Sequence, residues 1–405
     1  MKKTLLTICL VWMCFSLSAQ KIIDLSGKWS FSIDRQDNGE KEKWFSHTLN
    51  DFINLPGSMP EKLKGDEVTA KTQWTGSLYD SSYYYNPYME KYRKEGNIKF
   101  PFFLTPDKHY VGAAWYQKEV NIPADWKGER ILLFLERPHI ETTVWVNGQK
   151  TGMQNSLCVP HQYDITRYVR PGKCTITIRV DNRIKEINVG PDSHSITDQT
   201  QGNWNGIVGR ICLQTTPKTY FDDIQIYPEP EQKLARVKVV IKGTGTAKVK
   251  LSAESFNTDK KHIVPAIQQE IKLNKGVTET EMVLPMGNDM LLWDEFHPAL
   301  YKLKAEVTNG KKTEIKEIQF GMRRFEIKGK WFYVNGRKTQ LRGTVENCDF
   351  PLTGYAPMDV ESWERVFRIC RSYGLNHMRF HSFCPPEAAF MAADRVGFYL
   401  QPEGP

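Results

Sequence analysis

Arg379 and His381 stand two residues apart in the stretch Asn376-His377-Met378-Arg379-Phe380-His381-Ser382. Glu403 follows a later short apolar run, and Arg342, Asn347 and Asp349 follow an earlier one. One charged residue at the end of a strand is an ordinary surface feature. Arginine, histidine and glutamate at three successive strand ends are the makings of a site, provided the fold brings those ends to one rim.

The flanking sequence supplies that arrangement. Val360, Trp363, Val366, Phe367 and Cys370 recur at three- and four-residue spacing and predict an amphipathic helix. Asp359 and Glu361 sit at its start, Arg368 and Arg371 near its end and Gly374 after it, in accord with the helix dipole and a glycine stop. Pro385-Pro386-Glu387 opens a second helix that Gly397 closes. Short strands are predicted at 339–342, 376–382 and 398–401. Strand, helix, strand, helix, strand is a parallel βα pattern. In such units the C-terminal strand ends carry the chemistry.

Two features bound the function. Met1-Lys2-Lys3, a mostly apolar run from Leu5 to Phe15, and Ser18-Ala19-Gln20 predict a signal peptide over residues 1–19, cut after Ala19. The apolar run is too short for a lasting anchor. An exported chain, periplasmic or extracellular and with no membrane association after cleavage, is therefore expected. The sequence also stops at Pro405, just past the third parallel strand. Three strands and two helices cannot close a barrel, so a truncated barrel is expected.

Composition is that of an ordinary globular protein, 40% hydrophobic and 25% charged, and its length fits two to three domains. The formal net charge is +8, but the lysines and arginines are scattered without a basic block, which argues against a nucleic-acid partner. Cys158, Cys174, Cys212, Cys348, Cys370 and Cys384 match no zinc spacing. Mostly free thiols are expected, with room for one bridge.

From Ile22 the text is β-rich. Strands are predicted at 25–31, 115–120, 130–136, 142–146 and 175–180, and Asn147-Gly148 is a hairpin turn. Many short strands predict a jelly-roll-like β-sandwich over 20–217. Residues 65–112 interrupt it with an aromatic-rich insertion that includes Trp74, Tyr83, Tyr84, Tyr85 and Tyr88. Its rings either pack the insertion onto the sandwich or face a sugar. Residues 198–207 read as a polar loop. A second β run, 218–322, has six or seven predicted strands, among them 236–241, 247–253 and 278–284, and no cysteine, and fits an immunoglobulin-like sandwich that spaces its neighbours. A hairpin through Asn335-Gly336 then leads into the βα units of 323–405.

These residues carry a resemblance. Leu25-Ser26-Gly27-Lys28-Trp29, Ala114-Trp115-Tyr116-Gln117-Lys118, Val144-Trp145-Val146-Asn147-Gly148, Gly206-Ile207-Val208-Gly209-Arg210 and Leu341-Arg342-Gly343 stand in the order of the motifs of glycoside hydrolase family 2. Asn376 to His381 with Pro385 resembles that family's Asn-x-x-Arg-x-Ser-His-x-Pro, except that His381 precedes Ser382. The resemblance implies β-sandwich, immunoglobulin-like domain and TIM barrel in that order. It also implies retaining hydrolysis of a glycoside by two carboxylic acids, with no cofactor. Both catalytic glutamates would fall beyond Pro405, leaving none within these residues. Arg379 and His381 would hold sugar hydroxyls and stabilise charge. Glu403, Asn347 and Asp349 would bind the sugar, and Asp198 lies two residues from the position, here Thr200, where an aspartate often reaches the pocket. The partner implied is a carbohydrate, and an oligomer is left open.

The other reading is a carbohydrate-binding or spacer module without catalysis. Single residues have plainer readings too. His381 can be a satisfied buried histidine, Arg379 can pair structurally with Glu403, and Cys348 and Cys384 can be bystanders.

Overall fold

The computed structural model describes residues 20–69, 71–76, 82–98, 106–185, 193–198 and 200–404. The predicted leader lies outside the described residues, as do parts of the aromatic insertion.

Two sheets form the first sandwich. One runs in the order Gln149–Asn155, Glu141–Val146, Gly172–Asp181, Ala113–Ile122, Gly27–Asp34, Asp51–Leu55. The other runs Ile22–Asp24, Gly206–Thr216, Arg130–His139, His161–Asp164. Alternate residues point inward, so Trp29, Phe31, Tyr116, Leu133, Val144 and Ile178 meet in one core between the sheets. Burying each such side chain contributes about 1.5–3 kcal/mol. Asn147 and Gly148 both have positive φ, 50° and 76°, the conformation of the two-residue turn their sequence predicts. On the outer face Asp181 is fully buried among Arg179, Arg183 and Lys185, with Asp37 and Glu141 completing the charge cluster.

Within the insertion, Tyr83 is buried against Val68, Trp74, Met89, Tyr92 and Ile98, a small core of its own. Tyr84, Tyr85 and Tyr88 are exposed. The packing reading holds for Tyr83, and the exposed rings leave the sugar-facing one open.

The second sandwich has fewer strands than its sequence predicts. The expected strands at 236–241 and 247–253 are one element, Leu234–Phe256, and the expected strand at 278–284 is the second half of Ile263–Pro285. The intervening Gly243 and Gly245 are not a turn but a shift in register between two long antiparallel strands. Thr219 crowds the position a Gly243 side chain would fill. The two halves of Leu234–Phe256 pair with different neighbours, Tyr220–Glu229 on one and Leu300–Asn309 on the other, while Ile263–Pro285 runs beside both.

The barrel portion is three parallel strands in the order Gly343–Glu346, His377–Phe380, Tyr399–Gln401, linked by helices Val360–Ser372 and Glu387–Val396. Asp359 caps the first helix by accepting from the Ser362 N–H at 2.7 Å, and Gly397 closes the second with φ 75°. Met378, Phe380 and Leu400 face the helices and pack on Trp363, Phe367 and Ala389. Val345, Arg379 and Gln401 pair across the sheet and so point to its opposite face.

The first strand corrects the sequence reading. Residues 337–339 belong to an antiparallel hairpin, and the parallel strand starts at Gly343, not Thr339. A side chain at Gly343 would run into the His377 ring, so the strands approach there as only glycine allows. Arg342 therefore sits at the N-terminal end of its strand, opposite the rim. Its Nε donates to Gly374 O at 2.7 Å, and its backbone N–H to the Asn376 Oδ1 at 2.8 Å.

The immunoglobulin-like domain fixes the barrel from beneath. The Trp293 indole donates to Asp394 O at 2.7 Å and Asn257 donates to Arg395 O at 2.8 Å. Buried Asn376, at the start of the central strand, donates to Glu295. Arg371, in the last turn of the first helix, donates to Val396 O and Gly397 O at 2.9 Å each.

Candidate functional site

The C-terminal strand ends meet as the sequence requires, with one substitution: Glu346, not Arg342, ends the first strand. Arg379 Nε donates to Glu403 Oε1 at 2.6 Å across adjacent strands. The other oxygen, Glu403 Oε2, accepts from the Ser382 N–H at 2.8 Å. The Arg379 hydrogen bond and then that of Ser382 hold the Glu403 carboxyl below the usual carboxylate range. Arg379 is thus oriented by a carboxylate, with its remaining guanidinium nitrogens free of this bond.

His381 lies between three elements. Its backbone N–H donates to Glu346 O at 2.9 Å, which ties the first two strand ends together. Its Nδ1 faces Asn347 Oδ1 at 3.0 Å. Its Nε2 faces Nδ1 of His194, from the first sandwich, at 3.1 Å. From the same sandwich Gln201 Nε2 donates to His381 O at 2.7 Å. His381 is half-buried and both its ring nitrogens have partners, so the plainer reading of a satisfied histidine stands beside the binding one.

Two carboxyls near the end of the first strand, Asp349 and Glu346, are displaced toward their neutral forms. Burial pushes Asp349 up against the pull of His381. Burial also pushes Glu346 up, aided by the charge of Asp349 and opposed by hydrogen bonds from the Cys348 and Asn347 backbone. Of the two, Asp349 interacts with His381, whereas Glu346, in register with Phe380, is on the helix-facing side of its strand.

Asp198 is not brought to this rim. It is buried in the first sandwich, where its carboxylate accepts from Thr75 N–H at 2.7 Å and Asn203 N–H at 2.9 Å and lies 3.2 Å from His109 Nε2. It shapes the loop that presents His194 and Gln201. Thr200 Oγ1 likewise turns inward, donating to His194 O at 2.6 Å.

Sequence reasoning missed Glu346, His194 and Gln201. Glu346 was discoverable: Gly343-Thr344-Val345-Glu346 is a short alternating strand after a glycine. No periodicity marks His194 or Gln201, because only tertiary docking makes them neighbours of His381.

The first sandwich is seated on the barrel by specific contacts. Arg137 Nη2 donates to Cys384 O at 3.1 Å, and Tyr355 donates to Glu61 Oε2 at 3.0 Å. Trp204 stacks on His139 at 4.5 Å between ring centres and packs against Tyr355 at 5.5 Å. Burial and then the charge of Arg137 push the His139 imidazole down to about 3. A cavity of about 50 Å³ at this junction is lined by Cys158, Cys348 and Cys384, all free thiols. Burial pushes the Cys348 and Cys384 thiols up, which keeps them protonated and unreactive. A larger cleft of about 990 Å³ opens between the three domains, lined by Glu136, Arg210, Glu317, Tyr355 and Met358. Its walls include Asp349 but not Arg379, His381 or Glu403. The cleft carries its own charges, Arg210 pairing with Glu136 at 2.9 Å and Glu387 at 3.2 Å, but of the sequence-predicted site residues it takes in only Asp349.

Comparisons with known proteins bear on the family and the fold. The profile described as "Glycosyl hydrolases family 2, sugar binding domain" matches residues 22–217, and that described as "Glycosyl hydrolases family 2" matches 219–323. A putative beta-glucuronidase of Formosa agariphila is 27% identical over 75% of this chain and 36% of its own length. A beta-galactosidase large subunit of Latilactobacillus sakei is 23% identical over 94% of this chain and 58% of its own. A b-glucuronidase from Ruminococcus gnavus, solved in complex with D-glucuronic acid, superposes with a TM-score of 0.71 at 20% identity, over 96% of this chain and 60% of that one. The chain thus spans between about a third and three fifths of the length of these relatives.

Proposed function

Since the chain belongs to glycoside hydrolase family 2, we propose that it is the sugar-binding front of an exported glycosidase. The substrate is a carbohydrate, cleaved at a glycosidic bond with retention of configuration. One carboxylic acid protonates the leaving oxygen and a second, about 5 Å away, attacks the anomeric carbon. Both lie on barrel strands outside these 405 residues. The present residues bind: Arg379, held by Glu403, hydrogen-bonds sugar hydroxyls, and His381, held by Asn347 and His194, fixes the rim beside it. Asp349 borders them, and Asp198 acts indirectly by shaping its loop.

The observation that carries this reading is the rim itself. Three successive parallel strand ends join Arg379 to Glu403 at 2.6 Å and His381 to Asn347 at 3.0 Å, with a loop of the first sandwich docked on His381. The leader-like sequence of residues 1–19 supports export. No helix among the described residues is long and apolar enough to cross a membrane.

The test is a hydrolysis screen of the 405-residue chain beside a longer polypeptide that continues through the barrel. Chromogenic β-galactoside, β-glucuronide, β-mannoside and α-L-arabinoside are the substrates. Turnover by the longer chain alone is the expected outcome and identifies the sugar. Silence of both, with sugar bound by the 405-residue chain, would replace the proposal with a carbohydrate-binding module.

A further inference from the structure

Two imidazoles meet across a domain boundary at the rim. His194 belongs to the first sandwich and His381 ends the second barrel strand. Their rings stand edge to face with centres 4.8 Å apart, and Nδ1 of His194 lies 3.1 Å from Nε2 of His381. An N···N hydrogen bond needs one nitrogen that carries hydrogen and one that is bare. The other His381 nitrogen decides which is which. With Asn347 Oδ1 accepting from His381 Nδ1–H at 3.0 Å, His381 Nε2 is bare and accepts from His194 Nδ1–H. His194 Nε2 is then a bare acceptor. It has no hydrogen-bond partner among the described residues, and its ring is only half-buried. The loop is held in place while it presents this atom: Thr200 Oγ1 donates to His194 O at 2.6 Å and Gln201 Nε2 to His381 O at 2.7 Å.

We propose that His194 is a further sugar-binding residue, its Nε2 accepting a hydrogen bond from a hydroxyl of the glycoside, with His381 and Asn347 fixing the tautomer that makes it an acceptor. The proposal rests on the sugar-binding reading of the rim. It assigns to the first sandwich a direct contact that Asp198 and Thr200, both turned inward, do not make.

The experiment titrates the 405-residue chain with methyl β-D-glucuronide and methyl β-D-galactopyranoside by calorimetry. His194→Ala is expected to weaken whichever probe binds by about tenfold, the loss of one hydrogen bond. His194→Gln, whose side-chain oxygen also accepts, is expected to recover most of that loss, and both variants should melt as the parent does. Unchanged binding by His194→Ala overturns this inference alone. Failure of the parent to bind either probe overturns the sugar-binding reading and this inference with it. Independently of any sugar, two-bond ¹H–¹⁵N spectra at neutral pH should find the hydrogen of both rings on Nδ1. A hydrogen on His194 Nε2 overturns the assignment.

Discussion

Arg379 and Glu403 sit on adjacent parallel strands and share a 2.6 Å hydrogen bond, while the second Glu403 oxygen accepts from the Ser382 N–H at 2.8 Å. The carboxylate therefore does two things at once: it aims a guanidinium across the rim and pins the turn that follows the second strand. Its Arg379 bond draws its pKa below the ordinary glutamate value of 4.5.

Glu403→Gln follows directly from that geometry. A group whose folded pKa is depressed stabilises the fold above its unfolded value and loses that contribution as pH falls through the folded one. The parent should thus lose more melting temperature than Glu403→Gln between about pH 5 and pH 3, the window around and below the carboxylate range. Parallel melting curves against pH would refute it. Sugar binding should fall as well, because Arg379 then has a neutral acceptor in place of the carboxylate that holds it.

The rim was legible in the sequence because parallel strands announce their ends. Helix caps at Asp359 and Gly397 and the apolar stripe through Trp363 and Phe367 bracket the central strand closely, which puts Arg379 and His381 at its tip. The first strand was misjudged because Thr344-Val345-Glu346 lacks the apolar run that a strand covered on both faces normally shows. The two long strands of the second sandwich were divided at Gly243–Gly245 because paired glycines signal turns as well as bulges. His194 and Asp198 exchanged roles for a different reason: loop residues owe their direction to tertiary contacts, and no local pattern encodes those.

Asp181→Asn should be among the most damaging single changes in the first sandwich. Burial alone would raise the Asp181 carboxyl, but hydrogen bonds from Arg183 and Lys185 and the charge of Arg179 outweigh it and hold the group far below the usual range. Arg179 is itself buried and donates to Asp181 Oδ2 at 2.9 Å. Neutralising the carboxylate leaves that guanidinium with only Asp37 and Glu141, at a cost of about 3 kcal/mol. Urea denaturation measures it, and a loss under about 1 kcal/mol would mean that Asp37 compensates.

Acid should weaken the protein well above the carboxylate range. His139 is pushed from 6.5 to about 3, by burial and then by Arg137. His161 is pushed to about 4, mainly by burial. Below about pH 6.5 the unfolded chain takes up protons that the folded chain refuses, so stability is fully present above that pH and declines as pH falls toward the folded values. His139→Phe, which preserves an aromatic face for Trp204, should flatten the decline between about pH 6.5 and pH 5. An unchanged slope in denaturant midpoint against pH would count against the assignment.

Trp204 decides how firmly the first sandwich holds the rim. It is 6% exposed, stacks on His139 and packs against Tyr355, whose hydroxyl reaches back to Glu61. Gly354, with φ 84°, brings the barrel loop so close that an added Cβ would stand 3.4 Å from the indole. Trp204→Ala should therefore cost about 3 to 5 kcal/mol, the usual penalty for emptying a packed aromatic site. The loss should not stay local. The same loop that carries Trp204 carries Gln201, whose amide holds His381 O at 2.7 Å, and the first barrel strand leads directly into the segment that Trp204 clamps. Amide exchange should accelerate at residues 346–356 and at His381 well before global unfolding, while the second sandwich, which makes none of these contacts, keeps its protection. Uniform acceleration across all three domains would instead mean that Trp204 contributes only to global stability and that the rim is positioned by the barrel strands alone.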